Sequence, residues 1–347
     1  MTDHHGPAAQ PSCLHILDQA LSDAHAPLDP GRWLRILVDQ GCGRLPLPAS
    51  GRTRERWQAL ARVAAADLSL AKLFEGHTDA LAILAELQAS PAPSMANSRW
   101  AVWCAEPPDH RVQITQRADG SALLHGVKAW CSGAASVTHA LVSGWNPAGE
   151  PCLVAVAMDQ DGVKVTDAGW HAVGMRASAS VDVAFSHVPC TLVGKPGAYV
   201  NRPGFLHGGA GVAACWYGGL VHIAQSLRAA LPVTSADPHR LAHLGAVDVA
   251  LAQARAVLRE TAAEIDAHPR QSCAMACARA RLAVEAAAAV VVERAARALG
   301  AGPLCRDAGF AQVMADLPVF IRQSHAERDQ AAHGQAVLNH EGAPWAL

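Results

Sequence analysis

The hydrophobic period of this chain changes twice, and few architectures accommodate both changes. From residue 12 to 90 apolar residues recur at three- and four-residue intervals, as in "CLHILDQALSDA" and "GRWLRILVDQ", which predicts helices. Asp67 stands where an N-cap would open "LSLAKLFEGHTDALAILAELQ", a long amphipathic helix with Leu70, Leu73, Phe74, Ala80, Leu81 and Leu84 on one stripe. Proline in "SPAPS" (Ser90 to Ser94) closes it. From about residue 98 to 197 the period is two. "WAVWCAE", "VQITQRADGSALLHGVKAW", "HALVSGW", "CLVAVAMD", "GVKVTD" and "SVDVAFSHVPC" read as short strands, separated by the turn dipeptides Asp119-Gly120, Asn146-Pro147 and Asp161-Gly162. From about residue 204 the helical period returns in alanine-rich segments broken at Pro232, Pro238, Pro269 and Pro303. Closely packed alanine helices suit a bundle.

The expectation is a mixed α+β protein in three parts. These are an N-terminal helical domain (1–97), a central antiparallel β module (98–197) and a C-terminal four-helix bundle (198–347). No repeat or low-complexity linker separates them, so they should form one unit.

With 347 residues, 51% hydrophobic and 17% charged, the chain can bury a large core. A net charge of −2 offers no basic surface for nucleic acid or anionic lipid. The start, "MTDHHGPAAQPS", lacks the apolar core of a signal peptide, and "LAVEAAAAVVV" is too short to cross a bilayer. The expected location is the cytoplasm, with no membrane or nucleic-acid partner. The ten cysteines show no disulfide framework and read as small hydrophobes. Cys273 and Cys277 lie one helical turn apart without a second pair at zinc spacing. In "HRLAH" (His239 to His243) Arg240 stands where a catalytic zinc motif requires Glu. No metal site is expected.

Three stretches carry a resemblance that spans nearly the whole chain. "WCAEPP" (Trp103 to Pro108) is similar to a Thr-Glu-Pro strand, with Ala105 for Thr. "GVKAWCSGA" (Gly126 to Ala134) is similar to a Lys-x-Trp-Ile-Thr-Asn-Gly segment. "VGMRASASVDVAFSHVPC" (Val173 to Cys190) is similar to a Gly-x-Arg-x-Ser-x-Thr segment ending in Val-x-Val-Pro. In this order and spacing they resemble the acyl-CoA dehydrogenase superfamily, whose helical, β-barrel-like and four-helix-bundle domains follow in the same order. The resemblance implies that Trp130 packs on a flavin isoalloxazine, that Ser132 hydrogen-bonds near flavin N5, and that the backbone of Cys104 and Ala105 faces the ring. An apolar slot with a few polar groups is what a flavin needs.

The resemblance also implies FAD, rather than FMN, and a homodimer or homotetramer sharing the cofactor site. The family's Arg-x-Phe-Gly diphosphate contact has no counterpart near "VTSADPHRLAHLG", where Arg240 or His239 would have to substitute. Its Gln-x-x-Gly-Gly, often supplied by a partner subunit, falls on Arg297 to Ala301, which leaves Arg297 and Gly300 as candidates.

Two departures bear on function. Where most members place the glutamate that removes the substrate α-proton, this chain has Ser324, with His325 beside it. Where CoA-binding members have Asp-x-x-Arg, it has Ala210 and Ala213. Serine has no pKa suited to that proton, whereas neutral imidazole has one. The expected activity is therefore FAD-dependent dehydrogenation of an unusual or carrier-bound acyl thioester, with His325 as base and Ser324 positioning it. A separate electron acceptor would complete the cycle. Two alternatives stay open. One is a flavin-dependent monooxygenase of the same fold, served by a flavin reductase and acting on a small molecule; the other is a flavin-binding scaffold without turnover.

Overall fold

In the computed structural model, which describes residues 13–22, 28–90, 97–107, 111–117, 121–235 and 237–346, four helices precede the strands. They are α1 (Cys13–Ser22), α2 (Pro30–Asp39), α3 (Thr53–Ala66) and α4 (Leu68–Glu86). Their starts follow capping chemistry. Asp29 accepts from Arg32 N at 3.0 Å with Pro30 in the first turn, and Asp67 accepts from Leu70 N at 2.7 Å. Helix α4 ends at Glu86, short of the prolines, in a turn where Gln88 is left-handed (φ 51°).

The single apolar stripe expected for α4 is not what the fold uses. Leu70, Leu73, Phe74, Ala80 and Leu84 are buried and Leu81 is half-buried, but Glu75, His77, Thr78 and Asp79 are buried as well. The helix is enclosed by α3 and by later elements, so its polar side must be satisfied inside the protein.

Among the described residues seven strands follow: β1 (Trp100–Trp103), β2 (Gln113–Gln116), β3 (Ala122–Cys131), β4 (His139–Trp145), β5 (Pro151–Ala157), β6 (Val163–Val165) and β7 (Val181–Leu192). The order β4-β2-β3-β7-β5 closes on itself through β5–β4 pairing, making a small five-stranded barrel with β1 beside β4 and β6 beside β7. The sheet is not wholly antiparallel. β1 and β2 both pair β4 in parallel, because β1 enters as a neighbour of β4 and not as the hairpin partner of β2. The turn at Asn146 forms as its dipeptide predicts, with the side-chain Oδ1 of Asn146 accepting from the Ala148 and Glu150 N–H groups. Asp119-Gly120 lies outside the described residues.

The remaining chain is helical: α5 (Ala198–Asn201), α6 (Gly204–Ala229), α7 (Pro238–Ala267), α8 (Ala274–Leu299), α9 (Ala301–Arg306), α10 (Ala308–Phe320) and α11 (Glu327–Leu338). Helix α6 joins the two helical parts. Gly218 and Gly219 seat it on Ala61, Ala64 and Leu68, where a Cβ at Gly218 would overlap the Ala61 carbonyl. Its other sides meet α7 and α8, so N- and C-terminal helices share one continuous core. Helix α7 buries Val247, Ala250, Ala254, Leu258, Ala262 and Ile265 against its neighbours, the larger of them worth about 2 kcal/mol each. Its outer side leaves Leu241 and Val249 exposed. By length and composition α7 is long and apolar enough to cross a membrane.

Candidate functional site

The turn Trp130-Cys131-Ser132-Gly133 is built by a break in β3. Lys128 pairs with Val183 and Cys131 with Val181, so Ala129 and Trp130 together oppose the single residue Asp182. This two-against-one bulge bends the strand and rotates the next side chain. Trp130 takes a left-handed conformation (φ 57°) that a bulky residue adopts only under constraint, and its indole is left 50% exposed. Gly133, also left-handed, lies against Leu73 of α4, where a Cβ would meet the leucine side chain at 2.7 Å. Its N–H donates to the Ser178 carbonyl at 2.8 Å.

Ser178 belongs to the loop between β6 and β7, which holds a 3-10 turn (Arg176–Ser178) flanked by two left-handed residues, Met175 (φ 57°) and Ala179 (φ 41°). The loop is fastened to α10. A Cβ at Gly174 would overlap the Ala315 carbonyl, and the Met175 N–H donates to the buried Asp316 carboxylate, which also accepts from Gln312 Nε2 at 2.7 Å. Between this loop and the turn after β3 three hydroxyls stand in line. Ser132 Oγ lies 2.7 Å from Ser180 Oγ, Ser180 Oγ lies 2.9 Å from Ser178 Oγ, and Ser178 Oγ donates to the Met175 carbonyl at 2.7 Å. Ser178 and Ser180 are buried, while Ser132 is half-buried.

The end of β1 lies beside this turn. Trp103 is buried and its Nε1 donates to the Ser132 carbonyl at 3.1 Å. Cys104 and Ala105 follow, both half-buried, and burial pushes the Cys104 thiol up to about 11, so it is protonated at neutral pH. Glu106 then anchors the strand end. Its carboxylate receives Lys128 Nζ at 2.6 Å, Trp145 Nε1 at 3.0 Å and the Ser143 hydroxyl. Lys128 has no exposed surface and also donates to the Ser143 carbonyl at 3.0 Å. The strand end that carries Cys104 and Ala105 is thus tied through Trp103 to the turn that carries Trp130 and Ser132.

The C-terminal candidates are arranged differently. Ser324 is buried after α10, in a turn and not within a helix, and its hydroxyl donates to Glu285 Oε2 of α8 at 2.5 Å. Glu285 also pairs with Arg322 at 2.6 Å. The His325 side chain is 58% exposed, with Nδ1 3.4 Å from Asp329. Arg297, at the end of α8, is likewise exposed and pairs with Glu293 one turn back at 2.8 Å, while Gly300 (φ 68°) terminates the helix. His239 and Arg240 occupy the exposed first turn of α7. Ala210 and Ala213 have no exposed surface, so neither can touch a ligand. Among the described residues no group of three His, Cys, Asp or Glu is placed to hold a metal ion.

Sequence reasoning missed two features. One is the pair Ser178 and Ser180, whose alternate spacing in "RASAS" is a usable signal. The other feature, the buried charges Arg56, Glu75 and Asp79 between α3, α4 and α6, gave no signal, because polar residues at helical spacing look like a solvated face.

No protein-family model matches the chain. A curated relative, the amino sugar nitrososynthase RubN8 of Streptomyces rubradiris, is 36% identical over 130 residues; the match spans 35% of this chain and 30% of that protein. Two solved structures align along nearly the full length. FMN-bound TdsC from Paenibacillus sp. A11-2, a dibenzothiophene monooxygenase, has a TM-score of 0.80 at 22% identity, with 95% of this chain and 98% of that chain covered. The methanesulfinate monooxygenase MsuC from Pseudomonas fluorescens has a TM-score of 0.81 at 21% identity, with 95% and 97% covered. These neighbours are flavoenzymes built on the acyl-CoA dehydrogenase fold, and at such identities the likeness speaks to architecture. The closed barrel between two sets of helices, with the full-length likeness to these structures, gives this chain the acyl-CoA dehydrogenase-like fold.

Proposed function

We propose that this protein is a flavin-dependent monooxygenase that binds FMN between Trp130, Ser132 and the Cys104–Ala105 strand end, and oxidises a polar small molecule. The observation that carries the reading is the fate of the expected base. Dehydrogenation needs a group that removes a proton next to the thioester. Ser324 stands at that position with its one proton committed to Glu285, and His325 is turned outward beside Asp329. A monooxygenase needs no such base: when bound, reduced flavin supplies the electrons with which dioxygen is divided between product and water.

The residues present fit a flavin. A half-exposed Trp130, a half-buried Ser132 and a strand end with half-buried Cys104 and Ala105 offer a flat apolar surface with few polar contacts. FMN is favoured over the FAD expected from the sequence. TdsC has been observed with FMN, and the residues assigned to the diphosphate, Arg297 and Gly300, lie at an exposed helix end. The acyl-thioester substrate is set aside for a polar one, since the positions expected to meet CoA are the buried Ala210 and Ala213, and α4 turns Glu75 and Asp79 inward instead of an apolar wall. The monooxygenase and nitrososynthase names of the similar proteins agree with this. A separate flavin reductase would deliver the reduced cofactor.

The test is spectroscopic. Purified protein should take up FMN with a change in its visible spectrum, and Trp130→Ala combined with Ser132→Ala should abolish uptake. Butyryl-CoA should not bleach bound FMN. Chemically reduced FMN on the protein should reoxidise in air through a species distinct in spectrum from both end states. Rapid bleaching by butyryl-CoA would restore the dehydrogenase reading.

A further inference from the structure

We propose that the line Ser132–Ser180–Ser178 acts as a one-way hydrogen-bond relay that makes the site prefer reduced over oxidised flavin. The inference rests on the flavin site proposed above and goes beyond it by assigning Ser178 and Ser180 as positioning residues.

The direction follows from counting protons. A serine hydroxyl has one O–H and two lone pairs, and a carbonyl oxygen only accepts. The contact of 2.7 Å between Ser178 Oγ and the Met175 carbonyl therefore uses the single proton of Ser178. With that proton spent, Ser178 can only accept across its 2.9 Å contact with Ser180, so Ser180 donates. Ser180 then has no proton left for the 2.7 Å contact with Ser132, and Ser132 donates. Reversing the line would set a Ser178 lone pair against the Met175 carbonyl at 2.7 Å, an oxygen that already accepts from Trp170 Nε1 and Ser178 N, each at 3.1 Å. Burial of Ser178 and Ser180 prevents water from taking over either partner.

Ser132 is consequently left without a donor. Its hydroxyl proton points inward to Ser180, and its backbone N–H is taken by the Trp130 carbonyl at 3.0 Å. What its side chain presents to the space beside Trp130 is a lone pair. N5 of oxidised flavin is an acceptor and would meet that lone pair head on. N5 of reduced flavin carries a hydrogen and would donate to it. The same contact is thus a hydrogen bond in one redox state and an unsatisfied acceptor pair in the other.

This polarity suits an enzyme that receives its flavin already reduced, holds it through reaction with oxygen and releases the oxidised form. It requires no titratable group. The positive-φ residues Met175 and Ala179 and the Asp316 staple on Met175 N hold the loop in the shape that keeps the Met175 carbonyl within reach of Ser178.

The experiment is a redox titration of FMN on the purified protein, with binding of oxidised FMN measured in air and of reduced FMN under anaerobic conditions. Wild type should bind reduced FMN at least about tenfold more tightly, equivalent to about 30 mV for a two-electron couple. Ser180→Ala frees the Ser132 proton to turn outward, and the ratio should fall severalfold towards one. Ser178→Ala should act in the same direction, while Ser180→Thr, which keeps a hydroxyl, should retain the wild-type ratio. Uptake of FMN with a ratio that Ser180→Ala and Ser178→Ala leave unchanged would overturn the relay and leave the site standing. A protein that takes up neither form, or one in which Trp130→Ala binds both as well as wild type, would overturn the site and the relay with it.

Discussion

His77 offers the sharpest test of how the polar side of α4 is satisfied. Its ring is buried, with Nδ1 accepting from the Trp100 N–H at 3.1 Å where α4 meets β1. A Cβ at Gly43 would overlap the opposite ring nitrogen, so that side is closed as well. Burial, with nearby Arg99, Arg44 and Arg56, lowers the imidazole to about 4. The unfolded chain holds this group near 6.5. Because the folded value is the lower one, the stabilisation is complete above pH 6.5 and is lost as pH falls towards 4. Between pH 7.5 and 4.5 the loss is about 2.5 kcal/mol. Asp67 works in the opposite direction: burial raises its carboxyl to about 6, so its contribution improves by about 2 kcal/mol as pH falls through the same window. These two contributions nearly cancel each other, so the wild-type profile alone does not isolate His77. His77→Asn, which keeps an acceptor for Trp100 N–H and cannot be protonated, removes one side of the balance. Urea unfolding should show the variant weaker than wild type by about 1–2 kcal/mol at pH 7.5 and equal or more stable at pH 4.5. An identical penalty at both pH values would show that His77 takes up a proton as readily in the folded protein as in the unfolded chain, and the geometry above would be wrong.

Two further outcomes follow from the structure. Glu106→Ala should destabilise more than Lys128→Met, about 3 against about 1 kcal/mol by urea midpoint, since the first leaves a fully buried ammonium with only Ser143 while the second leaves a partly exposed carboxylate with two donors. The exposed side of α7 should mediate self-association: light scattering at micromolar concentration should give a dimer or larger, and Leu241→Glu with Val249→Glu should reduce the mass, whereas a monomeric wild type would remove the idea.

How far residues alone reveal a fold such as this depends on whether the information is periodic. The switch from period 3.6 to two and back is local, and α2, β4 and β7 can be outlined from it. Strand direction is not local. Nothing in "WAVWC" says that β1 will lie parallel to a strand some forty residues later, and the parallel pairs went unforeseen for that reason. The site divides in the same way. Trp130 and Ser132 drew notice as a break in alternation, and the break is the physical bulge that exposes the indole. Ser324 and His325 are assigned by correspondence with the family's glutamate position. The chain leaves α10 at Phe320, so that position falls in a turn, where one residue faces Glu285 and its neighbour faces solvent. The hydroxyl line is the least legible part of the site. It joins Ser132 to Ser180 across 48 positions, and its meaning comes from the direction of three protons. Residue identity cannot encode that direction. The Met175 carbonyl encodes it, because a carbonyl can only accept, and that single restriction sets the orientation of every hydroxyl between it and the space beside Trp130.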